Sequence, residues 1–289
     1  MRDYAITTDS SCDFDQALAD SLGVTVVPLS VQIGPRRFRN APGEAMDSHS
    51  FYQLLSQGEL AQTSAPNVEE FKAVWRPILQ SGRDLLYLGF SSGLSGTYHN
   101  AAIAAEDLRE EFPEARIITV DTLCASLGQG MLVDLTVQEK RQGKTLDEAA
   151  AFAEKNRLHL CHWFTVGDLS QLRRGGRLSA GKAIVGNLLN IKPVLHVDDE
   201  GHLVPMASAK GRKKSIEALV SHMEESAVAP EQQRVYISHG DCLADAQLLA
   251  QMVQDRLHVS SVTIGDVGPV IGAHSGAGTL ALFFVGTHR

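Results

Sequence analysis

Residues 84–111 read DLLYLGFSSGLSGTYHNAAIAAEDLREE, and this stretch decides the fold. Residues 84–90 form a short apolar run with the length of a buried β-strand. A turn rich in glycine and hydroxyl side chains follows at once, and residues 99–111 form an alanine-rich helical pattern. A strand that runs straight into a helix is typical of an α/β protein, because parallel strands need a crossover connection.

The same alternation extends outward from this unit. Residues 4–8, 24–33 and 115–120 are predicted strands, and residues 34–48 are predicted to be irregular. Helices are predicted at 51–55, 68–79, 126–142 and 146–156. Asn67, followed three residues later by Glu70, predicts a capped start for the second of these helices. We therefore predict a parallel-sheet α/β domain over residues 1–158.

The pattern changes after residue 158. Residues 159–165 are a predicted strand, and residues 192–197 and 203–209 flank the turn DDEGH, which indicates a hairpin. Helices at 214–225 and 244–257 alternate with strands at 234–238 and 261–264. A hairpin combined with strand–helix units predicts a mixed sheet. We therefore predict a second, smaller α/β domain over residues 159–289, with a mixed sheet and basic loops.

Composition excludes several classes of protein. The chain has 289 residues and a formal net charge of −8, whereas general nucleic-acid binding needs a basic surface. No apolar run approaches the roughly 20 residues of a membrane-spanning helix, and the start of the chain lacks a signal-peptide pattern. The four cysteines are far apart without a CxxC pair, which is typical of a reducing compartment and offers no metal motif. We expect a cytoplasmic protein with no bound metal.

The turn after the strand at 84–90 is the strongest candidate site. Its sequence SSGLSGT places three serines, a threonine and two glycines at the carboxyl end of a parallel strand and the start of a helix. Free N–H groups at a helix start favour an anion, and hydroxyl groups add neutral donors. Two similar clusters, DSS at 9–11 and QTSAP at 62–66, are either helix caps or further parts of one crevice.

Basic and glycine-rich segments supply further candidates in the second half. RRGGR at 173–177 and GRKK at 211–214 are local basic patches, either solvated faces or contact points for an anionic group or partner. GPVIGAHSGAG at 268–278 is predicted to be a glycine-rich loop with a single histidine, His274. We expect His274 to lie within a few ångströms of the turn at Ser95 and Gly96, and to favour its protonated form beside a carboxylate.

Weaker matches keep an enzyme as the alternative. Gly93–Thr97 resembles the GxSxG turn of hydrolases around Ser95, but Thr97 replaces the second glycine. GRLSAGK at 176–182 resembles a phosphate-binding loop, but Ala183 stands where a hydroxyl would hold magnesium. GAGTLA at 276–281 has too little chain after it for a dinucleotide site. An acyl hydrolase or transferase acting through Ser95, or a phosphotransferase, therefore remains possible.

Taken together, the motifs resemble those of the DegV family, in the same order and over nearly the whole chain. The matching segments are DSS at 9–11, TSAP at 63–66, SSGLSGT at 91–97, VDT at 120–122, ASLGQG at 125–130, GGR at 175–177, GNLLNIKP at 186–193, GRKK at 211–214 and GPVIGAH at 268–274. The chain departs from the family pattern at Ala65, where glutamine is usual, and at Ala277, where proline is usual. Both departures leave the hydroxyls and the histidine in place.

The resemblance implies a two-domain DegV-like fold, with a three-layer α/β/α parallel-sheet domain over residues 1–158 that carries the acyl pocket and a smaller α/β domain with a mixed sheet. It also implies the fatty-acid-binding subunit of a fatty acid kinase. Such a subunit needs no cofactor and lacks complete catalytic machinery. It binds a long-chain fatty acid and presents the carboxylate to a separate ATP-binding kinase subunit, which forms the acyl phosphate. A scaffold with a purely structural lipid is a third possibility.

Mapped onto this sequence, the resemblance implies a set of site residues. The carboxylate would be bound by the hydroxyl groups of Thr63 and Ser95, with the backbone N–H groups of Gly96 and Thr97 assisting and His274 close by. Residues expected on the head-group or partner side are Ser10, Ser64, Ser92, Arg177, Arg212 and Lys213.

Overall fold

The computed structural model describes residues 2–167, 169–178 and 190–289. The strands, in chain order, are β1 (Tyr4–Asp9), β2 (Thr25–Val27), β3 (Ser30–Ile33), β4 (Arg36–Arg39), β5 (Ala61–Ser64), β6 (Asp84–Gly89), β7 (Ile117–Asp121), β8 (Leu160–Thr165), β9 (Ile191–Val197), β10 (Leu203–Lys210), β11 (Arg234–His239), β12 (Ser261–Asp266) and β13 (Leu280–Val285). The α-helices are α1 (Gln16–Leu22), α2 (Ser48–Ser56), α3 (Val68–Gln80), α4 (Thr97–Glu111), α5 (Ser126–Arg141), α6 (Leu146–Asn156), α7 (Ser170–Arg174), α8 (Arg212–Ser226), α9 (Leu243–Leu257) and α10 (Pro269–Ser275).

The first sheet is parallel, in the order β2-β1-β6-β7. Helices α3 and α4 pack on one face, where Trp75 and Tyr87 are fully buried, and helices α5 and α6 pack on the other. The capping box at Asn67 and Glu70 is present at the start of α3. The predicted three-layer α/β/α arrangement is therefore confirmed.

The second sheet has six strands and is mixed, in the order β10-β9-β8-β13-β11-β12. β9 and β10 pair as the predicted antiparallel hairpin, whereas β11 and β12 are parallel. β13, with the sequence LALFFV, was not predicted as a strand, although it lies between β8 and β11 near the centre of the sheet. Its continuous apolar run fits a strand that is buried on both faces.

A third, antiparallel sheet of β4, β3 and β5 was missed. The predicted strand at residues 24–33 is in fact two strands in different sheets, interrupted at Pro28, which cannot donate a ladder hydrogen bond. The region predicted to be irregular at 34–48 contains β4. The cluster at 62–64, for which a helix cap was one interpretation, forms β5 instead, and Asn67 caps the helix that follows.

The glycine-rich segment at 268–278 was also predicted wrongly, because much of it is helical. Helix α10 begins after Gly268 with Pro269 at a position that suits proline, and ends at Ser275, followed by Gly276 with φ of 80°. These two boundary residues are ordinary helix start and stop signals. The helix holds His274 in its last turn, so the position of the ring is set by helix packing and not by a flexible loop.

Helix α5 joins the two large sheets. It contacts β1 and β6 of the parallel sheet and also β8, β11 and β13 of the mixed sheet. Gly128 makes this close packing possible, because a Cβ there would lie 2.2 Å from His162 Nε2 and 2.7 Å from Phe283 Cδ1. A helix that packs on both sheets makes the two halves of the chain share one core, although the predicted boundary at residue 158 falls between α6 and β8.

Candidate functional site

A cavity of about 220 Å³ lies where the mixed sheet, α5, α10 and the turn after β6 meet. Most of its wall is apolar. The aliphatic and aromatic side chains that line it include Leu29, Phe90, Leu94, Phe164, Leu172, Val197, Leu203, Val267, Val270, Ile271 and Phe283. A single water needs roughly 10–15 Å³ on this scale, so the cavity accommodates roughly fifteen to twenty groups of that size.

One polar region of this wall is centred on Thr63 and His274. Thr63 lies on β5, and its Oγ1 is 2.8 Å from His274 Nε2 on α10. Side chains alternate between the two faces of a strand. Thr63 therefore lines the cavity, whereas its neighbour Ser64 points the other way and is exposed. The two residues are 211 positions apart in the chain, so only the tertiary fold brings them together.

The turn between β6 and α4 contributes Ser95 and Gly96 to the same wall. Ser95 Oγ lies 2.8 Å from Thr97 Oγ1 and accepts the Thr97 N–H at 3.2 Å. Gly96 is the N-cap of α4, without a side-chain cap, and its N–H has no partner among the residues that the structure describes. The turn therefore offers a hydroxyl and a free N–H at a helix start, which suits an anionic group.

Arg177 links the turn to the histidine. Its Nε donates to the carbonyl oxygen of Leu94 at 3.2 Å, and its guanidinium also donates to the carbonyl of Gly175. Gly175 lies against His274, since a Cβ there would be 2.5 Å from the imidazole Nδ1. These contacts place Thr63, His274, Arg177 and Ser95 in one connected group on the cavity wall.

Burial, and secondarily the positive charge of Arg177, lower the pKa of His274 to about 4. The imidazole is therefore neutral at pH 7, in contrast to the protonated form expected beside a carboxylate. A neutral ring has one donor nitrogen and one acceptor nitrogen, so Nε2 either donates to the Thr63 hydroxyl or accepts from it.

We expect His274 to make the fold less stable in mild acid. Its pKa is near 4 in the folded protein and about 6.5 in the unfolded chain, so stability is full above about pH 6.5 and declines as the pH falls toward 4. The contribution to the free energy of unfolding should drop by about 1–2 kcal/mol between pH 7 and pH 5. Urea unfolding of wild type and His274→Gln at both pH values checks this, because glutamine keeps a partner for Thr63 but does not titrate. Equal pH dependence in the two proteins would contradict it.

A second polar group in the wall was not anticipated. Ser126, the first residue of α5, and Ser238, on β11, both line the cavity, and their hydroxyl oxygens are 3.0 Å apart. Ser126 Oγ also lies 2.5 Å from the Oδ2 of Asp13, a partly buried carboxyl group. Ser126 lies in the ASLGQG segment at 125–130, but no motif marks Asp13 or Ser238, and the three residues come from distant parts of the chain.

Several predicted site residues do not reach the cavity wall. The side chain of Thr97 is fully buried with its hydroxyl against Ser95, so it supports the turn, while its N–H, the group predicted to assist, donates to Ser95 Oγ. Ser92 is exposed. Ser10 accepts the Leu29 N–H at 2.9 Å and lines a different, wider cavity of about 1010 Å³.

The predicted basic residues lie in different parts of the structure. Arg177 lies at the cavity, whereas Arg212, at the start of α8, pairs with Asp245 at 2.8 Å and is not among the residues that line the cavity. Lys213 is exposed on the same helix. Most of the phosphate-loop match at 176–182, including Lys182, and the Ala183 position lie outside the described residues. Ala65 lines the cavity and Ala277 is exposed.

Within residues 2–167, 169–178 and 190–289, no helix has the length and apolar character required to cross a membrane. In the same residues, no cluster of histidine, cysteine and carboxylate side chains has an arrangement that would bind a metal ion.

Comparisons with known proteins give a consistent result. The sequence profile of the DegV family, a family of uncharacterised proteins, matches residues 3–287. A DegV domain-containing protein of Clostridium perfringens is 41% identical over 286 residues, covering 99% of this chain and 98% of its own.

Two solved structures resemble the fold closely. One is a DegV-family protein of Thermus thermophilus, described as fatty acid binding, with 33% identity and a TM-score of 0.87 over 98% of this chain and 99% of its own. The other is a DegV lipid-binding protein of Thermotoga maritima, with 28% identity and a TM-score of 0.88 over 99% of both chains.

Proposed function

This chain belongs to the DegV family, and from that premise we propose that it binds one long-chain fatty acid in the cavity. The carboxylate would accept hydrogen bonds from Thr63, Ser95 and the Gly96 N–H, beside His274. The Thr97 N–H, which donates to Ser95 Oγ, is a further backbone donor of the turn. The observation that carries the proposal is the combination of an apolar wall with this connected group of polar residues.

The energetics favour a lipid acid. Burying an acyl chain contributes about 0.8 kcal/mol per methylene, so fifteen methylenes contribute roughly 12 kcal/mol before the association cost is subtracted. The head group needs donors, because a carboxylate in an apolar site costs several kcal/mol when it is unpaired. Hydroxyl and N–H donors meet this need. The relatives described as fatty-acid-binding and lipid-binding support the same ligand class.

Native mass spectrometry of the purified protein tests this proposal directly. We expect a mass increment equal to one long-chain fatty acid, which is lost on denaturation and identified after extraction. The delipidated protein should then take up one equivalent of hexadecanoic acid. A protein that carries no lipid and does not bind the acid after delipidation would contradict the proposal.

We further propose that the bound carboxylate is presented to a separate ATP-binding kinase subunit, which forms the acyl phosphate. Neutral hydroxyl and N–H donors hold the carboxylate without a tight ion pair, which would occupy its oxygens and make them less nucleophilic. One oxygen would then remain available as the nucleophile. Arg177 supplies positive charge at the same wall, where a phosphoryl group would add negative charge.

Removing the charge of Arg177 should separate binding from phosphorylation. We expect Arg177→Gln to change the affinity for hexadecanoic acid less than about threefold, because hydroxyl and N–H groups hold the carboxylate. Acyl-phosphate formation with the kinase subunit should fall at least tenfold, as expected when a charge-assisted contact worth about 1.5–3 kcal/mol is lost. Arg116→Gln, at an exposed ion pair with Asp147, is the control and should affect neither. Equal losses of binding and phosphorylation would assign Arg177 a structural role.

The geometry gives less support to an enzyme that acts alone through Ser95. The Ser95 hydroxyl contacts Thr97, while His274 Nε2 contacts the hydroxyl of Thr63. A serine nucleophile needs a base within hydrogen-bond reach, and the described residues place no such base at Ser95. Turnover of ATP or of an acyl ester by the isolated chain would favour the enzyme over a binding subunit.

A further inference from the structure

The group of Asp13, Ser126 and Ser238 has no role in binding the carboxylate. Ser126 and Ser238 line the cavity at the junction of α5 with β11. Asp13 lies behind Ser126, where its Oδ2 contacts the Ser126 hydroxyl and its Oδ1 accepts the Gly268 N–H at 3.1 Å. Ser238 is fully buried by the protein, and its hydroxyl has no partner other than Ser126 in the described residues. The group is thus a chain of three oxygens that ends on the cavity wall.

The backbone holds Ser126 in an unusual conformation. Its φ is 54°, in the left-handed region that residues other than glycine rarely adopt. Ser126 is also the first residue of a 16-residue helix whose N-cap, Ala125, makes no side-chain hydrogen bond. Strain of this kind persists where the surrounding structure fixes a side chain in place. The Ser126 hydroxyl is therefore held between the Asp13 carboxyl and the Ser238 hydroxyl.

The Ser238 hydroxyl keeps hydrogen-bonding capacity at the cavity end, whichever way its bond to Ser126 runs. A hydroxyl group has one donor and two acceptor lone pairs. If Ser238 donates to Ser126, its lone pairs stay unused, and if it accepts from Ser126, its O–H stays unused. Burial raises the pKa of Asp13 to about 8, and a protonated Asp13 that donates to Ser126 favours the second direction. A ligand hydroxyl both donates and accepts, so it pairs with Ser238 in either case.

From this arrangement we infer that the cavity contains a second polar contact for its lipid, at which Ser238, backed by Ser126 and Asp13, hydrogen-bonds a hydroxyl group on the acyl chain. The inference rests on the proposed fatty-acid function and narrows its ligand class to hydroxylated fatty acids. An unsubstituted chain would place methylene groups against the Ser238 hydroxyl. A hydroxyl group on the chain would pair with Ser238 at no further desolvation cost to the protein.

A series of positional isomers tests the inference. The delipidated full chain is titrated by calorimetry with octadecanoic acid and with octadecanoic acids hydroxylated at carbon 3, 7, 10, 12 or 18. A hydroxyl buried without a partner weakens binding, and we expect at least a tenfold loss for most isomers. The isomer whose hydroxyl reaches Ser238 should bind at least as tightly as octadecanoic acid.

Three variants identify the contact. Ser238→Ala should lower the affinity for that isomer at least tenfold, because the hydroxyl contact is removed. Its affinity for octadecanoic acid should stay within about threefold of wild type. Thr279→Val is the matched control, since Thr279 also lines the cavity but its hydroxyl already donates to the Gly276 carbonyl at 2.7 Å, and it should keep the isomer preference. Ser275→Ala tests the competing position, because the buried Ser275 hydroxyl lines the same cavity without a partner in the described residues, and it should keep the preference too.

The outcomes separate the two proposals. If octadecanoic acid binds but every hydroxylated isomer binds at least tenfold more weakly, the inference is wrong and the fatty-acid function stands. Loss of the isomer preference in Ser275→Ala but not in Ser238→Ala would also overturn it. If neither octadecanoic acid nor any isomer binds, the proposed function itself fails.

Discussion

Replacing Thr63 and Ser95 together by alanine is expected to weaken the binding of hexadecanoic acid by about two to four orders of magnitude. Each hydroxyl is proposed to donate a charge-assisted hydrogen bond to a carboxylate, and each such bond is worth about 1.5–3 kcal/mol. The two losses together are therefore about 3–6 kcal/mol, at about 1.4 kcal/mol for each factor of ten. Titration calorimetry of the delipidated variant measures the effect.

Controls separate this loss from damage to the site. Thr63 also contacts His274, so Thr63→Ser, which keeps the hydroxyl, should retain most of the affinity. Ser64→Ala and Ser92→Ala remove neighbouring hydroxyls that are exposed, and both should bind like wild type. A double alanine variant with unchanged affinity would show that the carboxylate is held elsewhere in the protein.

The sequence predicted this fold well wherever local pattern and tertiary structure agree. The run at 84–90 and the helical pattern after it form β6 and α4, because an apolar strand followed by a turn rich in glycine and hydroxyl side chains has few alternatives. Asn67 and Glu70 predicted the start of α3 for the same reason, since both halves of a capping box lie within one turn. These features depend on residues that are close in the chain.

The errors occur where distant partners decide the structure. Thr63 lies on a strand only because β3 provides the ladder, and a short polar segment carries no sign of that partner. The LALFFV segment is a central strand because β8 and β11 flank it on both sides. Propensity is a weak guide to such strands, since side-chain packing across the sheet determines their stability.

The candidate site shows the same division. Motifs at 63 and 91–97 identified the hydroxyls of Thr63 and Ser95, and the structure brings both to one cavity. The group of Asp13, Ser126 and Ser238 could not be predicted, because the Asp13–Ser126 and Ser126–Ser238 contacts span 113 and 112 residues. A lone serine at the start of a helix is ordinarily interpreted as part of a cap.

Arg289 connects the segments that join the two large sheets. Its guanidinium donates to the carbonyl oxygens of Leu123 at 2.8 Å, Arg157 at 2.6 Å, Asp198 at 2.9 Å and Leu160 at 3.3 Å, and to Cys124 Sγ at 3.2 Å. Leu123 and Arg157 lie before the predicted boundary at residue 158, whereas Leu160 and Asp198 lie after it. The residue is 9% exposed, so these carbonyls have little access to water. Arg289 therefore stabilises the contact between the two halves of the chain.

We expect Arg289→Ala to lower the free energy of unfolding by about 3–5 kcal/mol, because buried carbonyls lose a charged donor and several are left unpaired. The free energy of unfolding of Arg289→Lys should lie between those of wild type and Arg289→Ala, since an ammonium group keeps the charge but has only three donors. Arg116→Ala, at an ion pair whose two side chains are each 58% exposed, is the matched control and should cost no more than about 1 kcal/mol. Urea unfolding followed by circular dichroism measures all three. A loss below about 1 kcal/mol in Arg289→Ala would mean that the carbonyls find other partners and that the shared α5 core alone holds the halves together.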